Sequence, residues 1–251
     1  MPNWVKNIVH VSGPEEDIAK ALDLMRDKNA EGDIDFNNVF PLPKRLKIVS
    51  GGYDRYYVAL YLRTLDMSEI LRLEKELHEH KLGFYGTYSR KYADSFAMGK
   101  DCVPIPEDKL TWMKDHIDKD YENIPHASME DVGKAYIDNI LEYGADTWYE
   151  WCIDNWGTKW NACEAKIGDD YLEFETAWDA PFPITEELSR RFPELTFSHE
   201  WADENLGYNC GKVEFKGGES IAEYEFESDD ESHEFACMMW GYGPDDMEDE
   251  E

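Results

Sequence analysis

The spacing of hydrophobic residues near the amino terminus changes from that of a strand to that of a helix. Residues 5–12 are rich in β-branched side chains and end at Gly13, which predicts a strand. Ile18, Leu22 and Met25 then recur every three or four residues, which predicts a helix from about residue 12 to about residue 27. The chain is therefore expected to start with a strand–helix unit.

Alternation of apolar and polar residues predicts further strands in the last third of the chain. Leu172, Phe174, Thr176 and Trp178 alternate with acidic and aromatic residues over positions 170–178. Similar patterns predict a helix over 184–192, a strand over 195–201, and a hairpin made of 208–215 and 220–226 around a Lys-Gly-Gly turn.

A capping-box pattern at residues 128–131, with Asp131 in place of the usual Glu or Gln, predicts the start of a long helix. The helix is expected to end near residue 155. Its apolar stripe advances in steps of four and three residues and consists of Ile137, Leu141, Gly144, Trp148 and Trp151. Because glycine costs about 1 kcal/mol in a helix interior, Gly144 suggests that another backbone approaches closely there.

These elements divide the chain into four predicted segments. Residues 1–47 hold the first strand–helix unit and a connector, 48–127 are a helical insertion, 128–243 hold the long helix and a carboxy-terminal part, and 244–251 are an acidic tail. The element order predicts an α+β fold, a ferredoxin-like β-α-β-β-α-β sandwich with a large helical insertion and an added long helix.

The charge of the chain is strongly negative. Its 251 residues include 56 Asp and Glu against 25 Lys and Arg, which gives a formal net charge of −31. Such a chain repels nucleic acid and anionic membranes and attracts basic surfaces. Two interpretations stay open: the charge serves solubility, or it imitates a polyphosphate and so occupies a nucleic-acid-binding protein.

The sequence lacks the signatures that mark catalytic, cofactor and metal sites. Its five Cys are widely spaced, its seven His are scattered, and its carboxylate pairs lack the spacing of a calcium loop. We therefore expect no catalytic residue, no cofactor and no metal. The sequence has neither a signal peptide nor an apolar run of about 18 residues, so we expect a host-cell cytosolic protein with reduced thiols.

Acidic residues are densest after position 222. On the predicted last strand they share one face, and later residues extend that face; the set comprises Glu223, Glu225, Glu227, Asp229, Asp230, Glu231 and Glu234. This acidic face is the expected contact surface for a basic partner. A rival interpretation is that these charges protect an edge strand against aggregation.

Several motifs rich in Trp, Asn and Pro occur along the chain. They are Met1–Trp4 with Asn7, Phe36–Asn38 with Pro41 and Pro43, Trp151, Asn155–Ala162, Phe174–Trp178 with Pro181 and Pro183, and more faintly Cys210–Gly211. Together they resemble the Api-ninety-two-like family of phage and plasmid proteins. The resemblance implies a ferredoxin-like carboxy-terminal domain without an established activity, on mobile elements whose neighbouring genes often protect incoming DNA.

One of these motifs supplies a polar and aromatic cluster, together with a Trp from the strand that follows. The cluster consists of Trp156, Thr158, Lys159, Trp160, Asn161 and Trp178. Its aromatic residues could form a partner platform or part of the core, and its polar residues could form a site or satisfy the end of a helix.

Three functional hypotheses follow from the sequence. The first is a non-enzymatic anti-defence inhibitor that docks on a basic nucleic-acid-binding host protein by mimicry, with no direct contact to nucleic acid or membrane. The second is a small-ligand or nucleotide-processing enzyme with a pocket near residues 156–161. The third is a structural module that forms homo-oligomers through the edge of its sheet.

Overall fold

The computed structural model describes residues 3–28, 34–82, 86–101, 103–120 and 128–242. The predicted acidic tail lies outside these ranges. The chain divides into two compact units, one made of residues 1–41 and 155–251 and the other of residues 42–154. We call them the ferredoxin-like unit and the helical unit. Their boundaries differ from the predicted ones at 47/48 and 127/128, because residues 128–154 belong to the helical unit.

Most of the long strands lie in the second half of the chain, whereas the first half is mainly helical. The first half contains β1 (Trp4–Ser12), α1 (Glu15–Met25), α2 (Asp54–Leu62), α3 (Met67–Glu79), β2 (Lys81–Leu82), β3 (Gly86–Thr87), α4 (Tyr88–Lys91), α5 (Ala93–Asp101) and α6 (Glu107–Asp120). The second half contains α7 (Met129–Tyr143), α8 (Trp148–Trp156), β4 (Cys163–Ile167), β5 (Tyr171–Ala177), α9 (Phe182–Arg191), β6 (Thr196–Asp203), β7 (Cys210–Lys216), β8 (Glu219–Tyr224) and α10 (Asp229–Trp240). Short 3₁₀ turns occur at Phe36–Asn38 and Lys44–Leu46.

The ferredoxin-like unit is built on an antiparallel sheet with the strand order β4-β5-β1-β6-β7-β8. Within it, β1-α1-β4-β5-α9-β6 is a β-α-β-β-α-β unit whose strands lie in the order β4-β5-β1-β6. The predicted α+β, ferredoxin-like fold is therefore confirmed. Residues 42–154 are inserted between α1 and β4, and β7 and β8 extend the sheet beyond the ferredoxin-like core.

Strict alternation along β1 decides which helices cover each face of the sheet. Val5, Val9 and Val11 are buried on one face, where α9 contacts the later strands. Ile8 points to the opposite face, where it packs against a hydrophobic cluster that includes Ala236 and Met239 of α10. The sheet is thus covered by helices on both faces, and α10 covers the strands β6 and β7.

A chain of buried polar side chains crosses the central strands on the α9 face. Thr185 Oγ1 lies 2.9 Å from His199 Nδ1, and His199 Nε2 lies 3.0 Å from Asn7 Oδ1. Asn7 Nδ2 in turn donates to Thr176 Oγ1 at 2.9 Å. Burial lowers the pKa of His199 to about 3, so the ring is neutral and its two nitrogens are both satisfied. This arrangement has the order of a nucleophile, a base and an orienting residue, but its burial makes it structural.

Residues 128–155, predicted as one helix, form two. The structure confirms the capping box at Ser128 and Asp131. However, Gly144 adopts φ +72° as the carboxy-terminal cap of α7, and its N–H donates to Ile140 O. The predicted stripe is only partly buried, because Ile137 and Trp151 are buried whereas Leu141 is 38% exposed. The close backbone approach predicted at Gly144 is found instead at Gly133, which faces α2.

No helix in the described ranges combines the length and the apolar character that crossing a membrane requires.

Candidate functional site

A groove of about 670 Å³ opens on the ferredoxin-like unit beside β7 and β8. Its walls come from β6, β7 and β8, from the start of α9, and from the chain that leads from β8 into α10. Apolar and aromatic side chains form one part of its lining, and carboxylates form another. A groove with this composition suits a positively charged ligand that also has a flat or an aliphatic part.

The aromatic part depends on a cross-strand pair. Trp201 on β6 lies opposite Gly211 on β7, and a Cβ at position 211 would lie 2.6 Å from the Trp201 ring. The glycine therefore lets the indole lie against the sheet. Phe182 packs edge-on against this ring, with 4.7 Å between the centroids, and Trp201 Nε1 donates to Asn209 Oδ1 at 3.2 Å. These contacts hold the aromatic wall in place.

The acidic part of the groove overlaps with the predicted acidic face. Four of the seven predicted carboxylates line the groove, namely Glu223, Glu225, Glu227 and Asp229. All seven are exposed. Lys212, a basic residue of the lining, is already paired with Glu200 at 2.9 Å and lies over the Tyr224 ring. The groove therefore carries an excess of negative charge that a cationic ligand would neutralise.

The strand that was predicted to carry the first acids of the acidic face ends before Glu225 and Glu227. Strand β8 ends at Tyr224, and residues from Asp229 onward form α10. Ser228 starts this helix, since its Oγ accepts from Glu231 N at 3.3 Å, while Glu231 Oε2 accepts from Glu227 N at 2.6 Å. Three acids occupy the first turn, where the helix dipole favours negative charge. The run of acids does not distinguish a strand from a helix, and the signal for the helix is the capping serine, Ser228.

The polar residues of the family-like cluster are engaged inside the ferredoxin-like unit. Trp156 Nε1 donates to Phe40 O at 2.9 Å, and Thr158 Oγ1 donates to Ala177 O at 2.8 Å. Asn161 Oδ1 accepts from Phe36 N at 2.9 Å. These bonds fasten the connector after α1 to the turn after α8. This supports the structural interpretation of Trp156, Thr158 and Asn161.

The other three members of the cluster meet at the surface. Lys159 Nζ lies 4.4 Å from the centroid of Trp160 and 4.7 Å from that of Trp178. The two rings are 38% and 42% exposed. Trp178 adopts φ +76° and donates its N–H to Asn3 O at 2.8 Å, which turns its side chain out of β5. The tertiary structure thus joins Lys159, Trp160 and Trp178 and separates them from the groove's lining.

A second cluster, which the sequence reasoning missed, lies in the helical unit. Lys91 Nζ contacts three carboxylates, at 2.6 Å from Asp146, 2.8 Å from Glu150 and 3.6 Å from Asp54. Tyr92 Oη donates to the same Asp146 oxygen at 2.6 Å. These residues come from α2, α4, α8 and the turn before α8, so nothing in their local spacing reveals the cluster. We call it the Lys91 network.

The Lys91 network is largely buried, and the pKa values of its groups are shifted from their ordinary values. Burial raises the pKa of Asp146 to about 7, an effect that Lys91 opposes and Glu150 reinforces. Burial also works against the charge of Lys91, but the carboxylates of Asp146 and Glu150 raise its pKa above the ordinary value. Asp146 is fully buried, and its Oδ1 makes no hydrogen bond in the described structure. The network therefore holds one cation among carboxylates, one of which is protonated in mildly acidic solution.

Replacing Asp146 with Asn is expected to change how stability depends on pH. A carboxyl group whose pKa is raised on folding, here from 3.8 to about 7, favours the folded state at low pH and loses that contribution as pH rises through 7. Asn imitates the protonated acid at every pH. Relative to the wild type, the free energy of unfolding of Asp146→Asn should therefore increase from pH 5 to pH 8, as measured by urea titration. If the difference in the free energy of unfolding between the two proteins were the same at pH 5 and pH 8, the raised pKa of Asp146 would be contradicted.

The described residues contain no group of three or more His, Cys, Asp or Glu that could hold a metal ion.

The sheet, its two helical layers and the β-α-β-β-α-β order define a ferredoxin-like protein. Residues 155–245 match the family model described as the ferredoxin-like domain in Api92-like protein. The resemblance to the Api92-like family that the Trp- and Asn-rich motifs predict is confirmed over these residues. The matched region alone leaves out β1, which lies between β5 and β6, so residues 4–12 complete the domain.

One solved structure matches over most of the chain. It is protein Api92 from Yersinia pseudotuberculosis, which is 11% identical, covers 91% of this chain and 99% of its own, and has a TM-score of 0.42. Among proteins of curated function, none matches this sequence.

Proposed function

We propose that this chain is a non-enzymatic binding protein that docks through its acidic face on a basic host protein. The observation that carries the proposal is the groove, in which exposed carboxylates stand beside an aromatic wall. The formal charge of −31 also supports the proposal, because a chain with this charge attracts basic surfaces at long range.

The kind of partner follows from the same charge. Proteins that bind nucleic acid present basic surfaces to phosphates, so they are the partners that a strongly acidic chain attracts most. We propose that the partner is a nucleic-acid-binding defence factor of the host, and that this chain inhibits it by occupying the surface that nucleic acid would use. The chain then acts in the host cytosol as an anti-defence protein of a mobile element.

Neutralising part of the acidic face is expected to weaken the interaction. In the test variant, Glu223, Glu225, Asp229 and Asp230 are replaced with their amides, and binding to a basic nucleic-acid-binding protein is measured by pull-down and calorimetry. Four exposed ion pairs at about 0.2–1 kcal/mol each amount to about 1–4 kcal/mol, so the affinity should fall by about fivefold or more. Binding should also weaken steeply as the salt concentration rises.

A matched control removes four acids from elsewhere in the same unit. Asp169, Asp170, Glu194 and Glu204 are exposed and do not line the groove. Their amide variant has the same net charge as the test variant, so it should lose less than about threefold in affinity. Equal losses in the two variants would show that total charge, and not the acidic face, decides binding. Failure of basic host proteins to bind the wild type at low salt would refute the proposal.

A further inference from the structure

Strand β8 ends the sheet and leaves one edge open. It pairs with β7 and with no other strand in the described part of the chain. Five of its six residues are exposed, among them Ile221 at 54% and Tyr224 at 52%. An exposed edge offers a row of backbone N–H and C=O groups that an extended chain can pair with. The open edge of β8 is therefore a candidate docking element.

The groove lies at the end of this edge strand. Ser220, Glu223 and Tyr224 of β8 line it directly. A peptide that adds to β8 as a further strand would place alternate side chains on one face of the sheet, at the level of the groove. Edge and groove together have the two parts of a strand-addition site, since backbone pairing supplies affinity and a side-chain pocket supplies specificity.

Charge decides what occupies the edge. Glu219 and Glu223 lie on β8, and Glu225 and Glu227 follow it. If two copies paired through their β8 edges, these acids would meet across the new ladder, and like charges on neighbouring strands are destabilising. A segment rich in Arg or Lys would instead neutralise them. The occupant that fits is an extended basic peptide, and not a second copy of this chain.

The composition of the groove distinguishes Arg from Lys. The planar guanidinium stacks on aromatic faces and binds carboxylates through two parallel hydrogen bonds. The groove offers both kinds of partner, with Trp201 and Phe182 on one side and Glu223, Glu225 and Asp229 among its acids. An ammonium group uses the charges but gains less from the rings.

We propose that an extended, Arg-containing segment of the partner pairs with the open edge of β8 and places one Arg side chain in the groove. This inference deepens the proposed function and rests on it. The basic host protein would then be recognised by a strand added to the sheet, rather than by diffuse charge alone.

The test uses synthetic peptides and the full chain. The parent probe is a nine-residue peptide that alternates Thr and Arg, and its binding is measured by calorimetry. Two further peptides carry N-methyl groups on all the Arg amides or on all the Thr amides. Because the amides of an extended peptide point alternately to either side, one methylated peptide should bind at least tenfold more weakly than the other. A peptide with citrulline in place of Arg tests the charge, and it should also lose at least tenfold.

The response of the protein locates the peptide. Hydrogen exchange of the amides in Glu219–Tyr224 should slow when the parent peptide is bound, and a Glu223→Gln/Glu225→Gln variant should bind it more weakly than a Glu194→Gln/Glu204→Gln control. Equal binding of the two methylated peptides would overturn the strand-addition inference and leave the proposed function standing. The strand-addition inference would also be overturned, and the proposed function left standing, if the parent peptide failed to bind while a basic protein still bound through the acidic face. Dimers that light scattering detects, and that the peptide does not dissociate, would also overturn it.

Discussion

Replacing Lys91 with Met is expected to destabilise the helical unit by about 3–5 kcal/mol, the usual cost of removing one partner from a buried ion pair. Lys91 is the cation that faces Asp54, Asp146 and Glu150 in the Lys91 network. Without it, the buried carboxylates repel one another with no compensating charge. The loss is measured as the change in the free energy of unfolding at pH 8, from urea titration followed by circular dichroism.

An exposed lysine in the same unit provides the control. Lys134 pairs with Asp138 at 2.6 Å on the surface of α7. Its replacement with Met removes the same charge and should cost less than about 1 kcal/mol. If Lys91→Met and Lys134→Met lower the free energy of unfolding by the same amount, Lys91 does not compensate a buried charge. At pH 5 the penalty of Lys91→Met should shrink, because Asp146 then carries a proton and its charge no longer requires a partner.

Replacing Gly133 with Ala is expected to force α2 and α7 apart. A Cβ at position 133 would lie 2.9 Å from the Cβ of Tyr61 and closer still to the backbone carbonyl of Tyr57. The two nearest obstructing atoms are backbone atoms of Tyr57, and a Cβ does not move with its rotamer, so no change of rotamer relieves the clash. Overpacking usually costs about 1–3 kcal/mol, and we expect the upper end of that range despite the gain of about 1 kcal/mol in helix propensity.

The measurement combines stability with local exchange. The free energy of unfolding should fall, and the amides of Asp54–Leu62 and Met129–Tyr143 should exchange faster than in the wild type. Lys134→Ala, on the exposed side of the same helix, should leave the free energy of unfolding and the amide exchange rates nearly unchanged, since it loses only one surface ion pair. A Gly133→Ala variant as stable as the wild type would show that the contact between the helices adjusts without cost.

Elements with a strong local pattern were predictable from the sequence. Strand β5 shows strict alternation, and α1 shows a clear stripe of Ile18, Leu22 and Met25, so both were located to within a few residues. By contrast, β4 was missed, because it is short, only partly buried and interrupted by a shift of register between Cys163 and Lys166. A pattern of that length carries no periodic signal that distinguishes it from a loop.

The candidate site was predictable in its charge but not in its shape. The seven acids lie within residues 223–234, and all of them are exposed as expected. The aromatic wall is formed by Phe182, Trp201 and Gly211, which come from three different elements. Only the strand order β6-β7-β8 and the register that sets Trp201 against Gly211 bring them beside the acids. Their separation in sequence left no local pattern to read.

By itself, the sequence determined the properties that depend on composition and on neighbours along the chain. These are the net charge, the strands and helices with a strong local pattern, the ferredoxin-like plan and the resemblance to the Api92-like family. The tertiary structure alone decided where α7 ends against α8, which face α10 covers, that the acids border a groove at an open edge, and that Lys91 gathers three distant carboxylates. The physical reason is that local periodicity reports which side of an element is buried, whereas a site depends on long-range pairing that periodicity does not encode.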